Sequence, residues 1–264
     1  MDLINSKDNQ KLKLIRSLHL KKHRSETGLF LAEGLRLCEE AALHGDCRLV
    51  LFAETSLQDE RTARLADELV RRGVACLRTT DALFAGVAAT DNPQGVLAVC
   101  SIPKQERPQA GGWFAYCDGL ADPGNLGAVM RSAAATACSG LLLSPGAADP
   151  WNPKAVRASM GAVFRLPLWQ APSDAEALAL LDQLQAAPLV TAMDGRDVRS
   201  CGEWLSRSHC WILGAEAQGV SPFWRRQAAV TVSLPMAEGA ESLNVSCAAT
   251  VLFYQSFFSG HILP

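Results

Sequence analysis

The residues best suited to chemistry lie in three short stretches of the C-terminal half, each at the end of a predicted apolar strand or in the loop that follows it. The first, residues 122–127 (DPGNLG), leads into an alanine-rich helix that carries Arg131. Its glycines would let the backbone approach a ligand closely, and the planar guanidinium of Arg131 suits a phosphate. The same letters also form a good turn, so a structural role stays open. Their spacing fits neither a dinucleotide-binding motif nor a P-loop.

The second stretch, residues 214–219 (GAEAQG), follows a predicted strand at 210–213 and places Glu216 between two glycines. A carboxylate at a strand end can accept hydrogen bonds from a ligand or hold a neighbouring loop in place. It can equally lie in water.

The third stretch, residues 234–255, begins at the end of an apolar strand, breaks at Pro235 and continues as a helix from about Ser242. Apolar residues occur on almost every face of this helix, so we expect it to be buried on most sides. Ser242, Asn244 and Ser246 stand in its first turn, where backbone N–H groups lack partners and the helix dipole is positive. Ser242 is therefore either an N-cap or part of a ligand cradle.

Short apolar strands alternate with helices along the chain, which predicts an α/β fold. From Trp113 onward the pattern predicts a parallel sheet, whose ligands bind where the carboxyl ends of the strands meet. There we expect a polar loop at 118–125 and a helix at 126–138. Residues 101–112 contain two prolines and two glycines without apolar periodicity. We therefore divide the chain into residues 1–105, a linker at 106–112, and residues 113–264.

The composition is that of an ordinary soluble globular protein, with 48% hydrophobic residues, 20% charged residues and a net charge of −2. Nine cysteines without a C-x-x-C pair argue against a disulfide framework and against a zinc site, and they indicate a reducing, cytoplasmic location. The N-terminus lacks the apolar region of a signal peptide, and no apolar run is long enough to span a bilayer. We expect no metal and no membrane association.

Positive charge is concentrated near the N-terminus, where residues 7–36 contain eight lysines and arginines against three acidic residues. Such a segment suits a polyanion, although a solvated basic helix face would look the same. The candidate RNA contacts are Lys11, Lys13, Lys21, Lys22, Arg24 and Arg36.

The three C-terminal stretches, as DPGNLGAVMRSA, ILGAEAQGVS and LPMAEGAESLNVSCAA, closely resemble the three motifs of the SpoU/TrmH family in order and spacing. Members of this family are RNA 2′-O-ribose methyltransferases that use S-adenosylmethionine. They have a trefoil-knotted, parallel-sheet α/β fold of the SPOUT superfamily. The N-terminal part, with SKDNQKLKLIRSLHLKKHR, GLFLAEGLRL and DNPQGVLAV, resembles the small α/β/α substrate-binding domain of the subgroup that acts on structured RNA.

The resemblance implies roles for particular residues. It assigns Asn125, Arg131, Glu216, Ser242 and Asn244 to catalysis. It assigns the methyl donor to the loops around Met193, Gly214, Gly219, Leu234, Met236 and Leu243. Two departures from the family pattern are Glu238, where glycine is usual, and Gln255, where an acidic residue often stands.

The resemblance also implies a homodimer, with the C-terminal helix and its Phe253, Phe257 and Phe258 as an interface element. Its separate recognition domain favours ribosomal RNA over transfer RNA as the substrate. Two other readings are a non-catalytic RNA-binding or ribosome-assembly protein that keeps the fold, and a nucleotide-dependent oxidoreductase. The intact Asn125, Arg131 and Glu216 disfavour the first, and the missing dinucleotide motif disfavours the second.

Overall fold

The computed structural model describes residues 1–239 and 242–259. The chain divides into two compact units. The first comprises Met1–Lys104 and Asp149–Phe164, and the second comprises Gln105–Ala148 and the described residues from Arg165 onward. Within the described part of the chain, no helix is long and apolar enough to cross a membrane.

The first unit is built on a five-stranded mixed sheet. Its strands are β1 (Asp2–Ile4), β2 (Leu29–Glu33), β3 (Cys47–Ala53), β4 (Ala75–Thr79) and β5 (Val96–Ser101), in the order β1-β4-β3-β5-β2. Its helices are α1 (Gln10–Ser17), α2 (Lys21–Thr27), α3 (Leu35–His44), α4 (Glu60–Arg71) and α5 (Asp81–Ala85). Strands β1, β4 and β3 run parallel, whereas β5 is antiparallel to both β3 and β2.

The second unit is built on a six-stranded sheet in which every pair is parallel, as the sequence predicted. Its strands are β6 (Trp113–Asp118), β7 (Gly140–Leu143), β8 (Leu168–Gln170), β9 (Ala187–Asp197), β10 (His209–Gly214) and β11 (Val230–Ser233), in the order β11-β9-β10-β6-β7-β8. The remaining helices are α6 (Pro123–Ala135), α7 (Pro153–Ser159, in the first unit), α8 (Asp174–Gln183), α9 (Gly202–Leu205), α10 (Pro222–Gln227) and α11 (Val245–Phe258). The trefoil knot stays a prediction.

Two helices near the carboxyl ends of the strands begin at other residues than predicted. Helix α6 begins at Pro123, so reading residues 123–125 as loop was wrong. Asp122 caps this helix by accepting a hydrogen bond from the Asn125 N–H (2.9 Å), and proline fits the first helical position. Helix α11 begins only at Val245, and its N-cap is Asn244 rather than Ser242. Asn125 and Asn244 are therefore each positioned by the start of a helix.

Helix α11 is less buried than its composition predicted. One face, with Ala249, Leu252 and Ser256, packs in the core together with Phe253, whose ring lies 4.9 Å from that of Trp113. Phe253 is therefore part of the subunit core and is not available as an interface residue. The other face leaves Val251, Tyr254 and Phe258 exposed, with 71% of Phe258 accessible. We call these three residues the apolar stripe.

Residues 149–164 are integrated into the first unit. The ring of Phe30 on β2 lies 4.9 Å from Trp151 and 5.7 Å from Phe164. Arg24 on α2 donates through Nε and Nη2 to Asp149 Oδ2, at 3.1 and 2.6 Å. Its Nη1 donates to the carbonyl oxygens of Leu18 and His19. Because the Arg24 side chain is only 2% exposed, the structure contradicts its prediction as an RNA contact.

The Arg24–Asp149 pair allows a stability prediction. Replacing Arg24 with methionine leaves a carboxylate that is 11% exposed without its partner. We expect the free energy of unfolding to fall by about 3–5 kcal/mol, the usual cost of breaking a buried ion pair. Urea unfolding followed by circular dichroism measures the change.

The control is Arg64→Met, which breaks the solvent-exposed pair between Arg64 and Glu60 on α4. Exposed pairs contribute little, so this variant should unfold close to the wild type. Equal destabilisation by both substitutions would contradict a special contribution of Arg24.

Candidate active site

A cavity of about 450 Å³ lies within the second unit, at the carboxyl ends of β10 and β11, beside the middle of β9 and the start of α11. This volume is in the range of small-molecule binding sites. The lining residues are Thr191, Ala192, Met193, Gly214, Ala215, Glu216, Gly219, Arg225, Val232, Ser233, Leu234, Met236, Ser242, Leu243, Asn244, Val245, Ala248 and Leu252. Most are apolar or present backbone groups, with a few polar side chains among them.

The turn after β10 forms one wall of the cavity and is held by its glycines. Ala215 and Gly219 exchange two backbone hydrogen bonds, of 3.1 and 2.8 Å. A Cβ atom at Gly214 would stand 2.1 Å from the carbonyl carbon of Gly219, so no larger residue fits there. Gly219 itself has φ of +65°. The turn therefore presents Glu216 in a defined place.

A break in the pairing of β9 and β11 contributes to another part of the lining. Thr231 pairs with Val190, whereas the next residue, Val232, pairs with Arg196. The part of β9 between Val190 and Arg196 is therefore not paired with β11. Within it, Thr191, Ala192 and Met193 line the cavity. Gly195 makes the rejoining possible, because a Cβ atom there would lie 2.6 Å from the backbone of Val232.

Hydrogen bonds through Asn125 join the three sequence motifs at this cavity. Asn125 Nδ2 donates to Glu216 Oε1, and Asn125 Oδ1 accepts from Asn244 Nδ2 at 3.1 Å. Asn244 Oδ1 accepts from the backbone N–H of Ser246 (2.9 Å) and from its hydroxyl (2.6 Å). A carboxylate only accepts and a backbone N–H only donates, so these partners fix the orientation of both amides.

The predicted donor-site residues Met193, Gly214, Gly219, Leu234, Met236 and Leu243 all line the cavity. So do Glu216, Ser242 and Asn244, and Asn125 contacts two of these three. Arg131 is different: it is exposed on α6, almost two turns beyond Asn125, and does not line the cavity.

The basic candidates lie in the first unit. Lys11 and Lys13 on α1, Lys21 and Lys22 on α2, and Arg36 on α3 are all exposed. Two of these cations contact acidic side chains within the unit: Lys13 lies 3.4 Å from Asp8, and Lys22 lies 3.9 Å from Glu26.

Sequence reasoning missed Arg225, which lines the cavity from α10, and Thr191, which lines it from β9. Both depend on tertiary folding, because Arg225 lies on a short helix outside the motifs and Thr191 owes its place to the register shift. No spacing in the sequence pointed to either residue.

Comparison with known proteins places the chain in a family. Residues 113–254 match the model of the SpoU rRNA Methylase family, and residues 9–98 match an MRM3-like substrate binding domain. The chain belongs to the SpoU rRNA methylase family. This membership confirms the family and the α/β fold class that the three motifs predicted, and with them the prediction of an enzyme that methylates RNA.

Similar family members cover nearly the whole chain. The 23S rRNA (guanosine(2553)-2′-O)-methyltransferase RlmP of Bacillus subtilis is 31% identical over 96% of this chain and 98% of its own. The 23S rRNA (uridine(2479)-2′-O)-methyltransferase of Streptomyces viridochromogenes is 31% identical over 88% of this chain and 84% of its own. The AdoMet-bound rRNA methyltransferase of Sinorhizobium meliloti superposes with a TM-score of 0.82 at 27% identity, covering 100% of this chain and 99% of that one.

The two roles of Asn244 can be separated by mutation. Asn244→Ala removes both the cap of α11 and the link to Asn125, so we expect a loss of about 1 kcal/mol in the free energy of unfolding. Asn244→Ser keeps an N-cap oxygen but cannot reach Asn125, and it should retain most of the wild-type stability. Urea unfolding of both variants measures the difference. The matched control is Ser242→Ala, because Ser242 lies before the helix and does not cap it. If Ser242→Ala lowered the free energy of unfolding as much as Asn244→Ala, the assignment of Asn244 as the cap would be contradicted.

Proposed function

We propose that this protein transfers a methyl group from S-adenosylmethionine to a ribose 2′-oxygen of ribosomal RNA. The observation that carries the proposal is the hydrogen-bonded set of Asn125, Glu216 and Asn244 beside the cavity, because it brings one residue from each motif to one place. The names of the relatives, two of them 23S rRNA 2′-O-methyltransferases, support ribosomal RNA as the substrate.

The cavity fits the donor. Leu234, Met236 and Leu243 offer apolar surface for the adenine ring, and the loop backbone offers donors and acceptors for its edge. When bound, S-adenosylmethionine supplies a methyl group made electrophilic by the neighbouring sulfonium. We assign Met193, Gly214 and Gly219 to the same donor site.

We assign catalysis to Asn125, Arg131, Glu216, Ser242 and Asn244. The four that line or adjoin the cavity would hold the ribose so that its 2′-oxygen points at the methyl group, since in-line positioning supplies much of the acceleration in such transfers. The fixed charge of Arg131 would bind an RNA phosphate and stabilise negative charge on the attacking oxygen. Arg131 is not the base, because guanidinium groups stay protonated in proteins. The proton acceptor stays unassigned.

We further propose that residues 1–105 bind the RNA substrate, that residues 106–112 are a linker, and that residues 113–264 form the methyltransferase domain, apart from residues 149–164, which pack in the first unit. The match of residues 9–98 to a substrate-binding domain supports this division. Lys11, Lys13, Lys21, Lys22 and Arg36 provide exposed positive charge for phosphates. Arg24 is not among the proposed RNA contacts, because it is buried in an ion pair with Asp149. RNA affinity that depends on such contacts falls steeply as salt rises.

A homodimer completes the proposal, with the apolar stripe on α11 as part of its interface. Val251, Tyr254 and Phe258 are spaced to lie on one face of the helix, and the rings of Tyr254 and Phe258 are 5.5 Å apart. Adjacent exposed apolar side chains of this kind commonly mark a protein interface. The nine free thiols suit the reducing environment of the cytoplasm, where we place the protein.

The activity is tested by incubating the purified protein and isotopically labelled donor with unmodified 23S rRNA and, separately, with unmodified transfer RNA, followed by mass spectrometry of the nucleosides. We expect a 2′-O-methylated nucleoside with the wild type. Arg131→Ala should lower the rate by about 10²–10³-fold, as for loss of one group that stabilises developing charge, while donor affinity measured by calorimetry stays unchanged. Label found only in transfer RNA would overturn the assigned substrate, and an equal loss of donor binding would make Arg131 structural.

The dimer is tested by sedimentation. We expect the wild type to sediment at twice the 28.3 kDa chain mass, and the double variant Val251→Glu, Tyr254→Glu to sediment as a monomer. Two carboxylates on the stripe would have to lose water without partners at the interface. Val70→Glu, an exposed apolar position on α4, is the control and should stay dimeric. A wild-type monomer at micromolar concentration would refute the dimer.

A further inference from the structure

The charges around the cavity are few and are carried by different elements. Among the described residues that line it, Arg225 is the only cation and Glu216 is the only acid. Glu216 stands on the turn after β10 and is tied to Asn125, which belongs to the helix after β6. Arg225 stands on α10, which contacts β9, and its Nη1 lies 3.6 Å from Asp194 Oδ1. The negative and the positive charge of the lining therefore come from different elements of the unit.

The contact between Arg225 and Asp194 is weak. Its 3.6 Å separation is longer than a charge-assisted hydrogen bond, and the two side chains are 46% and 73% exposed. Exposed pairs of this kind contribute little to stability. Arg225 can therefore exchange Asp194 for a carboxylate that enters the cavity at little cost.

The proposed donor carries such a group. S-adenosylmethionine has an adenosine part, a sulfonium and a methionine end with an α-carboxylate. That carboxylate would be repelled by Glu216, whereas the planar guanidinium of Arg225 matches its geometry. The apolar surface of Leu234, Met236 and Leu243 suits the adenosine part instead.

We propose that Arg225 binds the α-carboxylate of the methyl donor, taking it in place of Asp194, and so sets the orientation of the donor in the cavity. This inference rests on the proposed function, because it concerns the same site. It assigns a specificity role to a residue outside the three motifs. Arg225 would distinguish complete donors and their products from nucleosides that lack the amino-acid end.

A comparison of two ligands tests the proposal by calorimetry on the full-length protein. S-adenosylhomocysteine carries the carboxylate, and 5′-methylthioadenosine lacks the whole amino-acid end. Arg225→Ala should lower the affinity for S-adenosylhomocysteine by about tenfold or more, which corresponds to the loss of one hydrogen bond to a charged group. The affinity for 5′-methylthioadenosine should stay unchanged. Arg225→Lys keeps the positive charge but loses the two parallel N–H donors of the guanidinium. Its affinity for S-adenosylhomocysteine should lie between those of the wild type and Arg225→Ala.

Two further variants serve as controls. Arg226→Ala removes the neighbouring exposed arginine of α10, which does not line the cavity, and should bind both ligands like the wild type. Asp194→Asn removes the competing carboxylate and should bind S-adenosylhomocysteine at least as tightly as the wild type.

The possible failures can be told apart. An equal loss of both ligands in Arg225→Ala would mean that Arg225 only shapes the cavity. Unchanged ligand affinity with weakened RNA binding would mean that it contacts RNA. Either result overturns the assignment to the carboxylate while leaving the proposed activity intact. A wild-type protein that binds neither ligand would refute the donor site itself.

Discussion

The site depends on one side chain that makes two hydrogen bonds with opposite polarity. Asn125 donates to Glu216 and accepts from Asn244, so it connects segments that are 91 and 119 residues away in the chain. An aspartate in its place could not donate, and a leucine could do neither. This requirement explains why an amide stands at the third residue of α6, where the cap made by Asp122 also fixes its backbone. The local start of one helix thereby sets the geometry of a long-range contact.

The cavity beside this contact results from close backbone approaches that only glycine permits. Gly214 lies against the backbone of Gly219 and Val220, and Gly195 lies against β11. The first approach closes the turn that carries Glu216, and the second lets β9 return to its partner after leaving the register. An opening forms because the two strands pair on either side of the shift but not through it. The carboxyl edge of a parallel sheet already collects loops, and here the shift gives them a ligand-sized space.

The basic residues of the first unit are of two kinds. Arg24 is buried in an ion pair that holds the unit together, and others are exposed to solvent. Arg24 and Lys22 are two positions apart on α2, yet Arg24 is buried against Asp149 while the Lys22 side chain is 78% exposed. Counting the lysines and arginines in the sequence therefore overestimates the positive charge that is available to RNA. Burial of Arg24 has its own effect, because its guanidinium ties α2 to residues 149–164, far away in sequence. The first unit is thus assembled from two separate parts of the chain.

The sequence by itself determined the family, the parallel α/β class and half of the residues that line the cavity. Motif spacing reports local chemistry: glycines where turns close, an apolar strand before each loop, and polar residues at helix starts. Only the tertiary structure decided that Arg24 is buried, that Arg225 and Thr191 reach the cavity, and that α11 leaves its apolar stripe exposed. It also showed that α6 begins at Pro123 and α11 at Val245, which differ from the predicted starts. These features depend on which segments pack together, and hydrogen bonds and burial between distant segments leave no regular spacing in the chain.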